Sequence, residues 1–80
     1  MNKKWALLKA SDGVRGISGK KKIYEVMVND NVLTCSWGMA EKPQRQMSQT
    51  TFFSSQAALV AAYEKINSKI DRGYDVAYSV

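Results

Sequence analysis

The residue types that most enzymes use for acid–base and nucleophilic chemistry are scarce in this sequence. It contains no histidine and a single cysteine, Cys35, and its glutamates, Glu25, Glu41 and Glu64, fall on different predicted elements. No serine or cysteine lies in a recognisable nucleophile motif, and no glycine-rich phosphate loop precedes a helix. A structural zinc site would also lack ligands. We therefore expect no catalysis, no metal, no cofactor and no small-molecule substrate.

Positive charge is concentrated in the first third of the chain, although the formal net charge of the whole is only +5. Residues 1–22 hold one acidic residue, Asp12, and seven basic ones, which are Lys3, Lys4, Lys9, Arg15, Lys20, Lys21 and Lys22. Two further basic residues, Lys42 and Arg45, flank Pro43. Such an asymmetry indicates a polyanionic partner, most often nucleic acid bound through its phosphates. The alternative is that these side chains solubilise the protein or protect a sheet edge from aggregation.

Trp37 is the aromatic residue best placed to contact such a partner. It lies in Ser36-Trp37-Gly38-Met39, where an apolar run gives way to a polar and basic segment. An indole at the rim of a sheet can stack on a nucleotide, and a glycine beside it allows a close approach. The alternative is that Trp37 packs in the core, since tryptophan is highly buried on average.

A β-hairpin must position this tryptophan. Residues 22–28 and 32–37 read as strands, and Asp30-Asn31 suits a two-residue turn. That turn places Tyr24 opposite Trp37, with two further apolar pairs on the same face, Val26 with Cys35 and Val28 with Leu33. The other face is mostly polar, as a half-buried sheet requires. Cys35 is then an inert core residue.

The remaining elements complete an α+β fold. Residues 5–10 and 47–53 predict two more strands, residues 11–19 a loop, and residues 74–80 either an edge strand or a segment packed on the core. A helix over residues 56–71 is indicated by an N-cap at Ser54 or Ser55 and by Gly73 beyond its end. Its apolar stripe is predicted to comprise Leu59, Ala62, Tyr63, Ile66 and Ile70. The expected architecture is an antiparallel meander of about four strands with this C-terminal helix packed on its apolar face.

Length and composition predict one folded domain over residues 1–80. The sequence is 45% hydrophobic, which is too apolar for a disordered chain. No run approaches the roughly 20 apolar residues that cross a bilayer, and the N-terminal segment is too short for a signal peptide. A lone cysteine cannot form an internal disulfide. We therefore expect a cytoplasmic protein that does not enter membranes.

In the order and spacing of its elements, nearly the whole chain resembles the WGR domain, a family named for a Trp-Gly-Arg signature at the end of a strand. The segments that carry the resemblance are Lys22-Ile23-Tyr24-Glu25-Val26, Ser36-Trp37-Gly38, Thr51-Phe52-Phe53-Ser54-Ser55, residues 57–70 and Gly73-Tyr74. WGR domains occur in DNA-damage-responsive ADP-ribosyltransferases and as small bacterial proteins. The resemblance implies a DNA-binding module whose contacts near a broken duplex end fall largely on the backbone.

Carried over by position, the resemblance implies that Trp37 packs against a sugar or base and that Gly38 permits close approach. Met39 stands where the family has arginine, and methionine cannot form paired hydrogen bonds with a phosphate. Lys42 and Arg45 could supply that charge.

Together these observations predict a non-catalytic module that binds nucleic acid mainly through backbone phosphates, and the resemblance favours DNA, as a duplex or at its ends, over RNA. The candidate binding residues are Trp37, Gly38, Lys42, Arg45, Lys20, Lys21, Lys22, Lys3 and Lys4. The alternative hypothesis is a protein-interaction or dimerisation module with the same fold, in which Met39 and Met47 form part of an exposed apolar patch.

Overall fold

The computed structural model of the protein describes residues 2–10 and 21–80. Their elements, in chain order, are β1 (Asn2–Ala10), β2 (Lys21–Asn29), β3 (Val32–Met39), β4 (Gln46–Thr51), α1 (Ser55–Asp71) and β5 (Asp75–Ser79). The predicted α+β class is confirmed, with five strands in place of about four. The predicted loop at residues 11–19 lies outside the described residues, as does Lys20.

The five strands form one antiparallel sheet in the spatial order β4-β3-β2-β1-β5. Strands β1 to β4 make the predicted meander. Helix α1 then crosses one face of the sheet, where it contacts β2 and β3, and brings the chain back so that β5 pairs with β1. Of the two outcomes expected for residues 74–80, the edge strand is the one observed.

The register of the β2–β3 hairpin is the one predicted from the sequence. Tyr24 lies opposite Trp37, Val26 opposite Cys35, and the turn residue Asp30 has a φ of +56°. Aspartate tolerates this left-handed conformation better than most residues. The two-residue turn therefore sends the apolar pairs toward α1 and the polar pairs to the other side, which we call the open face.

The hydrophobic core lies between α1 and the three central strands. Its buried members are Leu7, Tyr24, Val26, Val28, Leu33, Cys35, Ala58, Ala62 and Ile66. Cys35 is buried and unpaired, as predicted. Alanines at two of the helical core positions let the helix backbone lie close to the sheet, where larger side chains would not fit.

Helix α1 begins as predicted, because the Ser54 hydroxyl accepts a hydrogen bond from the backbone N–H of Ala57 at 3.1 Å. It ends before Gly73, whose φ is +99°. The predicted apolar stripe was wrong at two positions, since Tyr63 and Ile70 are 46% and 44% exposed. The helix turns a neighbouring stripe toward the sheet, one that includes the small residue Ala58.

Strand β4 is displaced from its predicted range of residues 47–53. It ends at Thr51, after which Phe52 packs against the core and Phe53 leaves its ring 95% exposed. Every residue of the strand is exposed, because α1 lies over the middle of the sheet and does not reach this edge. Among the described residues, no helix has the length and apolar character needed to span a membrane.

Candidate nucleic-acid interface

Trp37 occupies the end of β3, where it is half-buried against the core. Its indole stacks on the ring of Tyr24, with ring centroids 5.9 Å apart and planes inclined by 13°. The indole Nε1–H donates a hydrogen bond to Oε1 of Gln46 on β4 at 3.2 Å. One ring face thus packs inward while part of the indole stays accessible. The structure combines the core and rim positions that the sequence left open.

An open groove lies beside this indole, with a volume of about 330 Å³. Its walls are formed by Trp37, Gly38, Met39, Lys42, Gln44, Arg45 and Gln46. The volume is near the lower end of the range for small-ligand sites, about 300 to 1,000 Å³. Within the groove, one aromatic surface faces a loop that carries two cationic residues. This combination suits a sugar or base attached to a phosphate.

The loop of residues 40–45 is held in place by the Arg45 guanidinium. Its Nη1 donates hydrogen bonds to the carbonyl oxygens of Met39 at 3.1 Å, Gln44 at 3.4 Å and Lys42. Its Nε is buried and has no hydrogen-bond partner among the described residues. The Arg45 guanidinium is therefore already engaged in holding its own loop. This leaves Lys42, whose side chain is exposed, as the loop cation with the greater freedom to meet a phosphate.

Gly38 is closely approached by the same loop. A Cβ built on Gly38 would lie 3.0 Å from the carbonyl oxygen of Gln44 and 3.1 Å from Cδ of Arg45. These distances are shorter than ordinary van der Waals contacts. The protein's own loop therefore lies against Gly38, and the approach of a ligand to this glycine stays a prediction.

Cationic side chains gather at the end of the sheet where β2 begins and β3 ends. We call this region the basic end, and its members are Lys9, Lys21, Lys22, Lys42, Arg45, Lys69 and Arg72. The strand register places Lys22 opposite both Lys9 and Met39, while the backbone N–H of Ala40 donates to the carbonyl of Lys21. Within the described chain, the carboxylates of this region are Glu41, Asp71 and Asp75. Positive charge therefore predominates there.

Lys3 and Lys4 do not join this group. Lys3 pairs with Val28 near the β2–β3 turn, at the opposite end of the sheet from Lys9. Six residues along a strand correspond to about 20 Å. Lys4 is also engaged locally, since its Nζ lies 3.4 Å from Oε2 of Glu25. Of the predicted lysines in the described chain, Lys21, Lys22 and Lys42 come together and these two do not.

Lys21 and Lys22 point to opposite faces of the sheet, as strand alternation requires. Lys22 lies on the helix-covered face, two residues before Tyr24, and Lys21 lies on the open face. Both side chains are exposed, and neither forms an ion pair with another described residue. A ligand that contacts both must therefore wrap around the edge of β2, as an extended phosphate backbone can.

The C-terminal part of the chain supplies aromatic and basic residues that are not among the predicted binding residues. The Tyr74 ring meets that of Tyr24 edge-on, at a centroid distance of 6.3 Å. The Lys69 ammonium lies 4.5 Å from the Tyr24 ring centroid, and Lys9 donates to the Arg72 carbonyl at 2.7 Å. No spacing in the sequence indicates these contacts. They arise because α1 ends over Tyr24.

The electrostatics of this cluster follow from burial and charge crowding. Burial raises the pKa of Tyr24 above its usual range, helped by a hydrogen bond with the nearby Cys35 thiol, so its phenol stays neutral. Desolvation lowers the pKa of Lys69, and the neighbouring charges of Arg72 and Lys65 add to this. At the far end of the sheet, the Glu25 carboxylate raises the pKa of Lys4. At the basic end, Lys69 therefore lies among other cations, whereas Lys4 lies beside an anion.

Comparison with protein-family models, curated proteins and solved structures finds no match to this chain. Among the described residues, no group of histidine, cysteine and carboxylate side chains could hold a metal ion.

Proposed function

We propose that the protein is a non-catalytic module that binds nucleic acid, DNA in preference to RNA, at the basic end. The observation that carries the proposal is the half-buried Trp37 indole, which borders an open groove in a region where cations outnumber carboxylates. Resemblance to WGR domains adds to this argument.

We infer different contacts for the lysines of the basic end and for Trp37. Lys21, Lys22 and Lys42 are exposed cations without a carboxylate partner in the described chain, so they would neutralise phosphates. The accessible part of Trp37 would pack on a sugar or on a base at a duplex end, a contact worth about 1 to 3 kcal/mol per stacked base. Because the contacts proposed here are with phosphates and with one aromatic ring, binding should show little sequence preference.

A fluorescence-anisotropy titration tests the proposal. The probes are a blunt duplex, a single strand and an RNA duplex of equal length, each measured at 50 and 200 mM salt. We expect the DNA duplex to bind most tightly and its affinity to fall steeply with salt. A dissociation constant above about 100 μM for every probe at 50 mM salt, weaker than ordinary non-specific binding, would overturn the proposal.

A further inference from the structure

The outer edge of β4 lacks the devices that usually protect a sheet edge. The strand reads Gln46-Met47-Ser48-Gln49-Thr50-Thr51, which contains neither charge nor proline. It pairs with β3 in an unbroken register, and all six residues are exposed. Natural edge strands usually carry a lysine, a proline or a bulge that prevents pairing with another chain. Among the described residues, no strand pairs with this outer edge.

The opposite edge of the sheet is also exposed, but it carries a charge and its pairing is irregular. Strand β5 begins with the charged residue Asp75, and its pairing with β1 is interrupted by a register shift between Ala6 and Leu7. An irregularity of this kind disturbs the ladder and twists the edge. The two edges are thus unequal, and only β4 offers a regular template for strand addition.

The backbone groups that β4 presents outward can be identified from one contact. The Phe52 N–H donates to the Asn31 carbonyl at 2.8 Å, and the Asn31 side chain donates to the Phe52 carbonyl at 2.8 Å. The backbone N–H and C=O groups of Phe52 therefore face the β3 side. Backbone direction alternates along a strand. The backbone groups of Gln46, Ser48 and Thr50 therefore also face β3. Those of Met47, Gln49 and Thr51 face outward.

We propose that this edge pairs with β4 of a second copy of the chain, antiparallel and about a two-fold axis at Gln49. In that register Gln49 faces its own equivalent and Met47 faces Thr51 of the second copy, which closes about six backbone hydrogen bonds. Both sheets then join into one continuous sheet. The exposed ring of Phe53 lies beside the 44–45 segment of the second copy and gains a covering surface there.

Charge and composition favour a second copy over a foreign strand. A strand without charged side chains can pair with β4 without leaving a charge unpaired. The β4 strand of a second copy is such a strand, and it pairs symmetrically about Gln49. Antiparallel pairing also places the basic end of each copy beside the β2–β3 turn of the other. The two basic ends then lie far apart, and their repulsion is small. Two paired six-residue strands bury less than the roughly 1,200 to 2,000 Å² of stable interfaces, so we expect a weak dimer with a dissociation constant of about 100 μM.

Amide hydrogen exchange at two protein concentrations provides the sharpest test, since the pairing predicts an alternating pattern. At about 10 μM the amides of Met47, Gln49 and Thr51 should exchange rapidly, and those of Ser48 and Thr50 slowly. At about 1 mM the outward amides should become protected while the inward ones change little. New protection of the β5 amides in place of the β4 amides would overturn the proposal. An unchanged exchange pattern in a protein that sediments as a monomer at 1 mM would overturn it too.

Two matched variants identify the edge. Gln49→Pro removes an outward N–H and leaves the β3 ladder intact, because proline is tolerated at an edge position of this kind. Gln49→Thr keeps that N–H, and both variants lose the hydrogen bond from Gln49 Nε2 to Thr34 Oγ1 at 3.2 Å. We expect the proline variant to weaken dimerisation at least tenfold in sedimentation equilibrium and the threonine variant to weaken it less than threefold. Equal effects would contradict the pairing.

Salt separates this proposal from nucleic-acid binding. Hydrogen bonds between uncharged strands should respond little to ionic strength, so dimerisation without nucleic acid should be similar at 50 and 500 mM salt. Dimerisation that is lost at high salt would point to charged contacts and would overturn the strand pairing. Either function can fail in these assays without affecting the other.

Discussion

The Trp37 indole and the Tyr24 ring stack across the β2–β3 hairpin, with centroids 5.9 Å apart and planes 13° from parallel. Because the two residues are directly opposed, the hairpin register fixes this contact. Tyr24 is buried, so it holds one side of the indole in place while the groove adjoins another. A prepositioned ring loses little side-chain entropy when it meets a ligand.

Tryptophan fluorescence should locate nucleic-acid binding at Trp37. The chain has two tryptophans, and Trp5 packs edge-on against Tyr63 at 5.4 Å, away from the groove. Trp5→Phe leaves Trp37 as the only indole, and we expect its emission to be quenched by duplex DNA. The complementary variant Trp37→Phe should show no quenching and bind about tenfold more weakly, as expected for a lost stacking contact. Equal quenching in the two variants would place the ligand elsewhere.

The salt dependence of binding should report the lysines of the basic end. Changing Lys22 and Lys42 together to glutamine should reduce the slope of log affinity against log salt by about 2, since each phosphate contact contributes roughly 0.9. The matched control changes Lys3 and Lys4 to glutamine; these residues lie at the opposite end of the sheet, and the change removes the same net charge. Its slope should stay close to that of the unmodified protein. If both double variants lower the slope equally, binding depends on net charge alone.

Gly38 should not accept a side chain without cost to stability. In Gly38→Ala the new Cβ would meet the Gln44 carbonyl oxygen at 3.0 Å and Arg45 Cδ at 3.1 Å. We expect the free energy of unfolding to fall by about 1 to 3 kcal/mol, measured by urea denaturation. Combining it with Arg45→Ala should give less than the sum of the two effects, because the Cδ contact is then gone. Full additivity would show that the Arg45 side chain is not what crowds this site.

Alkaline pH should destabilise the protein through Tyr24. Burial raises the pKa of this phenol above its usual value of 10.0. Above pH 10 the unfolded chain releases the proton while the folded chain retains it, so the free energy of unfolding falls as pH rises. The contribution is at most about 1.4 kcal/mol per pH unit. Urea denaturation at pH 9 and 11 should show a smaller loss for Tyr24→Phe than for the unmodified protein, and equal losses would contradict it.

Short-range patterns determined much of the fold. The alternation of apolar residues on both sides of Asp30-Asn31 set the hairpin register, because a slip of one residue would turn every core side chain toward solvent. Ser54 and Gly73 marked the ends of the helix for equally local reasons. The hairpin alone therefore fixed Trp37 beside Tyr24.

The rotation of the helix was harder to predict. Leu59, Tyr63 and Ile70 are more hydrophobic than Ala58, yet Ala58 faces the sheet. The choice depends on how closely the helix backbone approaches β2 and β3, which hydrophobicity does not encode. For the same reason the contact between Lys69 and Tyr24 could not be foreseen.

By itself, the sequence determined the α+β class, the hairpin register, the helix caps and an excess of positive charge, because each depends on residues near one another in the chain. Only the tertiary structure decided which charges come together. It brought Lys9, Lys22, Lys42 and Lys69 to one end of the sheet and left Lys3 and Lys4 at the other, since strand direction places residues six apart about 20 Å from each other. It also placed the Arg45 side chain against Gly38, because the loop folds back onto the strand before it.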